Sequence, residues 1–267
     1  MGNIGAVFCF EWKRAITWPR LLGWATLALF PVFIIGLMRM TAEMAGGSPP
    51  PRELWIGFLF ALVPMLVSML GALLWTTTAI ATELERRSWV YLTIRPHGGT
   101  AVLLGKYLAA VTWVIPAALL GLTLAVPLTI TSETADGEAV KLWWAMARLV
   151  CLSCPAYSAI FLLLGTINPR RAMVLAVAYS LIFELVISFV PAVINKLTVQ
   201  YRLRALMIDW CDVIPPQGTE TGVLALIGNA APTEHVTVLL LLTPVLLAAA
   251  VARLRWSEFS AAAESDV

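Results

Sequence analysis

Long uncharged runs broken by short charged or proline- and glycine-rich pieces dominate this chain. The runs are Leu21 to Met38, Leu54 to Thr82, Tyr107 to Ser132, Leu142 to Pro169, Ala172 to Asn195 and Val236 to Ala252, and only Arg148 and Glu184 place a charge inside them. About 20 apolar residues in a helix cross the ~30 Å hydrocarbon core of a bilayer. The pattern therefore predicts six spans, at about 21–38, 54–82, 107–132, 142–169, 172–195 and 236–252. Pro64 marks a kink in the second, and Pro116 and Pro127 interrupt the third. The piece MAGGSPPPRE between the first two runs cannot continue a helix.

Two shorter segments add to this map. Residues 3–18 place Ile4, Phe8, Trp12 and Ile16 at four-residue spacing, with Lys13, Arg14 and Thr17 turned away, which suits a helix lying in the membrane surface or a cytosolic extension of the first span. Between Lys196 and His235 the uncharged piece TGVLALIGNAAPT is too short to cross and suits a re-entrant or interfacial helix before the sixth span.

Composition agrees with the pattern. The chain is 60% hydrophobic and 13% charged, against about 25% charged in soluble domains. The expected class is an all-α integral membrane protein with one transmembrane domain over residues 1–267. A net charge of +2 carries no signature of nucleic-acid binding. Charge placement says more. Of the 18 Lys and Arg residues, eleven fall on the side that holds both termini and the 81–106 stretch and seven on the other, so both termini are expected in the cytoplasm of a multi-pass cell-membrane protein. Glu11, Lys13 and Arg14 ahead of the first run argue against a cleaved signal peptide. Cys9, Cys151, Cys154 and Cys211 form no disulfide framework.

The most charged segment is ATELERRSWVYLTIRPHGGTAVLLGK, residues 81–106, between the second and third runs. Glu83, Glu85, Arg86, Arg87, Arg95, His97 and Lys106 alternate there with Trp89, Tyr91, Leu92 and Ile94. A positive-inside anchor loop accounts for the arginines; the interleaved apolar residues ask for a face that packs on something. Gly105-Lys106 is not a phosphate-binding loop, because Thr100 stands where its first glycine belongs and Tyr107 follows the lysine. The sequence encodes no ATP site.

Six runs, the opening FEWKRAITWPR and the loop ELERRSWVYLTIRPHGGTAVLLGK together resemble the permease subunit of type-2 ABC exporters. The matching features are an acid ending the second span (Glu83 or Glu85), the Arg95-Pro96 pair, and Gly105-Lys106 opening the third span. The chain departs from the family at Arg87-Ser88-Trp89 and at His97-Gly98-Gly99, which leaves subfamily and substrate open. The resemblance implies a cytoplasmic coupling helix in a loop over 83–106, with Glu83, Glu85, Arg86, Arg87, Trp89, Arg95 and Pro96 engaging a separate cytosolic ABC ATPase. It also implies a second permease chain, as a homodimer, and export of an amphipathic, lipid-linked or drug-like substrate. ATP and Mg would sit on the partner ATPase, with no cofactor or metal bound by this chain.

Glu184 is the acid well inside a run, and Ser180 and Ser188 flank it at helical spacing. Two readings stand: a stripe lining a transport pathway, or a hydrogen-bonded glutamate pinning helices together. Cys151 and Cys154 lie three apart, as a soft-metal or redox pair would, or as small packing residues. A membrane-embedded enzyme is the alternative class, but His97 and His235 both lie outside the runs and no nucleophile, base or ligand set assembles around them. An ATP-independent assembly or immunity protein is a third reading.

Overall fold

A computed structural model of the chain describes residues 4–45, 50–77, 79, 81, 83, 98–130, 137–189, 195–196, 198–213 and 230–256. Every regular element among them is helical. The short helix α1 (Ile4–Ala15) leads into α2 (Trp18–Met44), with Pro19 in the first turn of α2, where a missing N–H costs no intrahelical bond. Four more helices join α2 in being long and apolar enough to cross a membrane: α3 (Arg52–Thr76), α4 (Gly98–Thr129), α5 (Glu138–Ile167) and, after two shorter elements, α8 (Pro232–Trp256).

The two shorter elements lie between α5 and α8. A 3-10 turn (Pro169–Arg171) starts α6 (Ala172–Tyr179), which continues as a π-helix over Ser180–Val186 and a 3-10 turn over Ile187–Phe189. The run 172–195, expected as the fifth span, is thus a helix that changes pitch twice rather than one long α-helix, and residues 190–194 lie outside the described ones. Then comes α7 (Val199–Trp210). The re-entrant piece expected at 221–233 falls largely outside the described residues.

Proline shapes these helices without ending them. Pro64 sits in a π-helical stretch, Ala61–Val67, in the middle of α3; the wider turn makes room for the ring and for the N–H it lacks. Helix α4 passes through Pro116 and Pro127 unbroken. It also starts at Gly98, well before the Tyr107 boundary expected from charge, so the last nine residues of the 83–106 stretch are its opening turns. Lys106 looked like a loop residue because it is charged; in the fold that charge is met by acids, and the helix has no reason to stop there.

Helices α4 and α5 form the centre. Helix α4 packs on α1, α2, α3 and α5, while α5 packs on α3, α4, α7 and α8. In their most apolar stretches 61% and 67% of residues are buried, against 22% in α2 and 17% in α8, so those two are outer helices. Their exposed faces carry Leu29, Phe33, Leu37, Leu240, Leu241 and Val245. Water does not tolerate an apolar area of this extent, and lipid covers it at no cost. Close helix crossings use small residues. A Cβ on Gly121 of α4 would stand 2.6 Å from the Ala28 carbonyl oxygen of α2, so glycine lets these backbones touch.

Candidate functional site

The two ends of the charged stretch meet. Lys106 lies in the third turn of α4, and its Nζ donates to Oε1 of Glu83 at 2.6 Å and to the Ala79 carbonyl at 2.8 Å. Glu83 and Lys106 are both 8% exposed. On its other side the ammonium stands 3.7 Å from Glu11 of α1, which is also 3.7 Å from Arg14. One buried cation thus ties α1, the chain just past α3, and α4 into a single junction. A short charge-assisted bond at low exposure is strong, and each of its members depends on the others for compensation.

The residue before the lysine makes the junction possible. A Cβ at Gly105 would come 2.7 Å from Cγ1 of Val7 and 3.2 Å from the Phe8 nitrogen, so only glycine allows α1 to lie against α4 here. Trp12 of α1 adds a second attachment: its indole N–H donates to Oγ1 of Thr112 at 3.1 Å, and its ring lies 5.3 Å from that of Trp113. The surface helix expected over 3–18 is therefore fastened to α4 by charge, by close backbone approach and by aromatic contact.

Of the residues assigned to ATPase coupling, Glu83 lies at this junction. Glu85, Arg86, Arg87, Trp89, Arg95 and Pro96 lie outside the described residues.

The polar stripe of the fifth run forms a second buried cluster. Glu184 is 0% exposed. One carboxylate oxygen accepts from the Tyr179 hydroxyl at 2.8 Å and the Val199 N–H at 3.3 Å. The other accepts from the Gln200 N–H at 3.0 Å and the Tyr157 hydroxyl at 3.4 Å. Val199 and Gln200 open α7, so the carboxylate caps that helix from another element and meets the positive end of its dipole. Thr198 completes the cap by accepting from the Tyr201 N–H at 3.2 Å.

Ser180 and Ser188 are buried beside Glu184, and each hydroxyl bonds back to its own helix, to the Ala176 carbonyl at 2.9 Å and the Glu184 carbonyl at 2.5 Å. Arg204 of α7 reaches the Ser188 carbonyl at 3.2 Å. With both carboxylate oxygens engaged by four protein donors, this geometry is that of an anchor between α5, the π-helical segment and α7.

Helix α7 was not expected from the pattern of apolar runs. Its signal was there: Val199, Leu203, Leu206, Met207 and Trp210 follow helical spacing behind a threonine cap. Arg148, the charge inside the fourth run, stands over the Trp210 ring at 4.5 Å and holds the end of α7 to α5. Cys151 is exposed, whereas Cys154 is buried and donates to Ser68 of α3 at 3.3 Å, so the two thiols face different surroundings. The chain matches no protein-family model and no curated protein.

Proposed function

We propose that this chain is the membrane-spanning permease subunit of an ATP-driven exporter of the type-2 ABC class. A separate cytosolic ATPase supplies ATP and Mg, and a second permease chain completes the pathway. The substrate class is amphipathic, lipid-linked or drug-like. The observation that carries the reading is the Glu83–Lys106–Glu11 junction, which roots the charged stretch in the helix bundle at both of its ends. Force applied to a loop moves a bundle only when the loop's attachments are stiff. A buried, short ion pair is such an attachment, and it joins three elements at once.

In this reading Glu85, Arg86, Arg87, Trp89, Arg95 and Pro96 meet the ATPase, their charges setting orientation and partner choice. Closure of the ATPases on ATP moves this stretch, and the junction passes the movement to α1 and α4. The segment beginning at Ala172 makes the sixth crossing together with the five long helices, which leaves both termini in the cytoplasm. Glu184 holds α7 against that segment, so the two move together. The long apolar helices also fit other multi-pass proteins; the rooted, charged stretch is what favours transport.

Purification of the intact chain with the ATPase encoded nearest to it tests the reading. The expected outcome is retention of the ATPase by the intact chain and its loss from the Arg86→Ala/Arg87→Ala/Arg95→Ala variant, which still inserts in the membrane. Absence of any ATPase from the intact complex, under conditions that keep membrane assemblies together, overturns it.

A further inference from the structure

A cleft of about 270 Å³ opens beside the Lys106 junction, between α1, α2, the end of α3 and α4. Its polarity is ordered along the helix axes. At one end stand Arg14, Arg20 and Lys106 with the acid Glu11; one to two turns further in, the wall becomes Leu74, Ala110 and Trp113. On α4 alone, Lys106 and Trp113 are seven residues apart, about 10 Å along the axis. A cavity charged at its mouth and apolar at depth matches an amphiphile in length and in direction.

Lys106 is met by Glu83 and Glu11, and Glu11 also faces Arg14. Arg20 donates to the Arg14 carbonyl at 3.4 Å and has no acidic partner among the described residues. Among the described residues at this end, three bases stand with two acids.

Deeper in, the wall is aromatic. Trp12, Trp24 and Trp113 form one ring cluster, and the N–H groups of Trp12 and Trp24 have acceptors in Thr112 and the Trp113 carbonyl. The Trp113 indole N–H has none among the described residues, and its nitrogen is buried away from the cleft, so Trp113 meets the cleft with its ring alone.

We propose that this cleft binds an acidic phospholipid of the surrounding membrane. The phosphate sits at Arg20 and Arg14, and an acyl chain follows the Leu74, Ala110 and Trp113 wall. Arginine suits this position because its planar fork matches phosphate oxygens. The inference requires that the chain lie in a membrane and is independent of the transport reading.

The test uses the full chain reconstituted in phosphatidylcholine doped with phosphatidylglycerol, then native mass spectrometry in a neutral detergent to count the lipids kept. The expected result is preferential retention of phosphatidylglycerol, reduced about ten-fold by Arg20→Ala, as for loss of a hydrogen bond to a charged group. Lys13→Ala, the same charge loss at an exposed position of α1 off the cleft, leaves retention unchanged. Equal losses from Lys13→Ala and Arg20→Ala, or no preference for phosphatidylglycerol, overturn the proposal. So does displacement of the lipid by millimolar inorganic phosphate, which would make the cleft a site for free phosphate. Arg20→Ala is a clean test, because Arg20 is exposed and its truncation leaves the packing intact.

Discussion

An ammonium group buried in the third turn of an apolar helix is stable only while opposing charge stays beside it. Lys106 has Glu83 at 2.6 Å and Glu11 at 3.7 Å. Truncating one partner of a buried pair leaves the other charge uncompensated, which costs about 3–5 kcal/mol. Glu83→Ala and Lys106→Ala are each expected to lower thermal stability in detergent by that order. The double variant Glu83→Leu/Lys106→Met should fall by less than the sum of its two single changes, because no orphan charge remains. Additive losses in that cycle would mean the pair is not coupled. Glu184 makes the parallel case for a capping carboxylate. Glu184→Ala strands two hydroxyls and two backbone N–H groups, an expected loss of about 3 kcal/mol or more, while Glu184→Gln keeps one oxygen acceptor and should lose less. Hydrogen exchange at Val199 and Gln200 reads the effect locally: both amides should lose protection in Glu184→Ala. Both acids were visible in the sequence as charges next to or within apolar runs. Their partners were not, since Lys106 lies 23 residues from Glu83 and the Gln200 N–H 16 residues from Glu184.

At the scale of elements, attachment of α1 to α4 depends on Gly105 having no side chain. A β-branched residue there would drive into Val7 and the Phe8 backbone, and relief of such overpacking costs about 1–3 kcal/mol. Gly105→Val is expected to release α1, with faster hydrogen exchange over Ile4–Ala15, while α4 and α5 keep their protection. Uniform loss of protection would instead make α1 an integral part of the core. Helix α7 was not among the elements expected from the sequence, although its spacing and its Thr198 cap signal it; Thr198→Ala should cost about 1 kcal/mol of local stability there. The π-helical pitch at Ser180–Val186 was not legible, because no proline stands inside that segment to signal it. That the Glu184 carboxylate meets the start of α7 came into view only with the fold.

For the whole molecule, central α4 and α5 and peripheral α2 and α8 follow from burial, and all four share similar apolar composition in the sequence. The consequence is that α2 and α8 turn apolar side chains outward, where a membrane supplies lipid, while changes on α4 and α5 act through packing. The transport reading belongs to this scale, and loss of the ATPase from the Arg86, Arg87 and Arg95 variant is its measurement. By itself the sequence determined that the chain is helical, that its long apolar runs are of membrane-crossing length, and that its richest charge lies between the second and third runs. Those properties are local: helix length, side-chain period and chain breaks depend on neighbours a turn or two away. Only the tertiary structure decided that Lys106 belongs inside a helix, that Glu83 and Glu11 meet it there, and that Glu184 caps α7. A buried charge is acceptable or ruinous according to what packing brings beside it, and its partners come from turns and helices that no local pattern specifies.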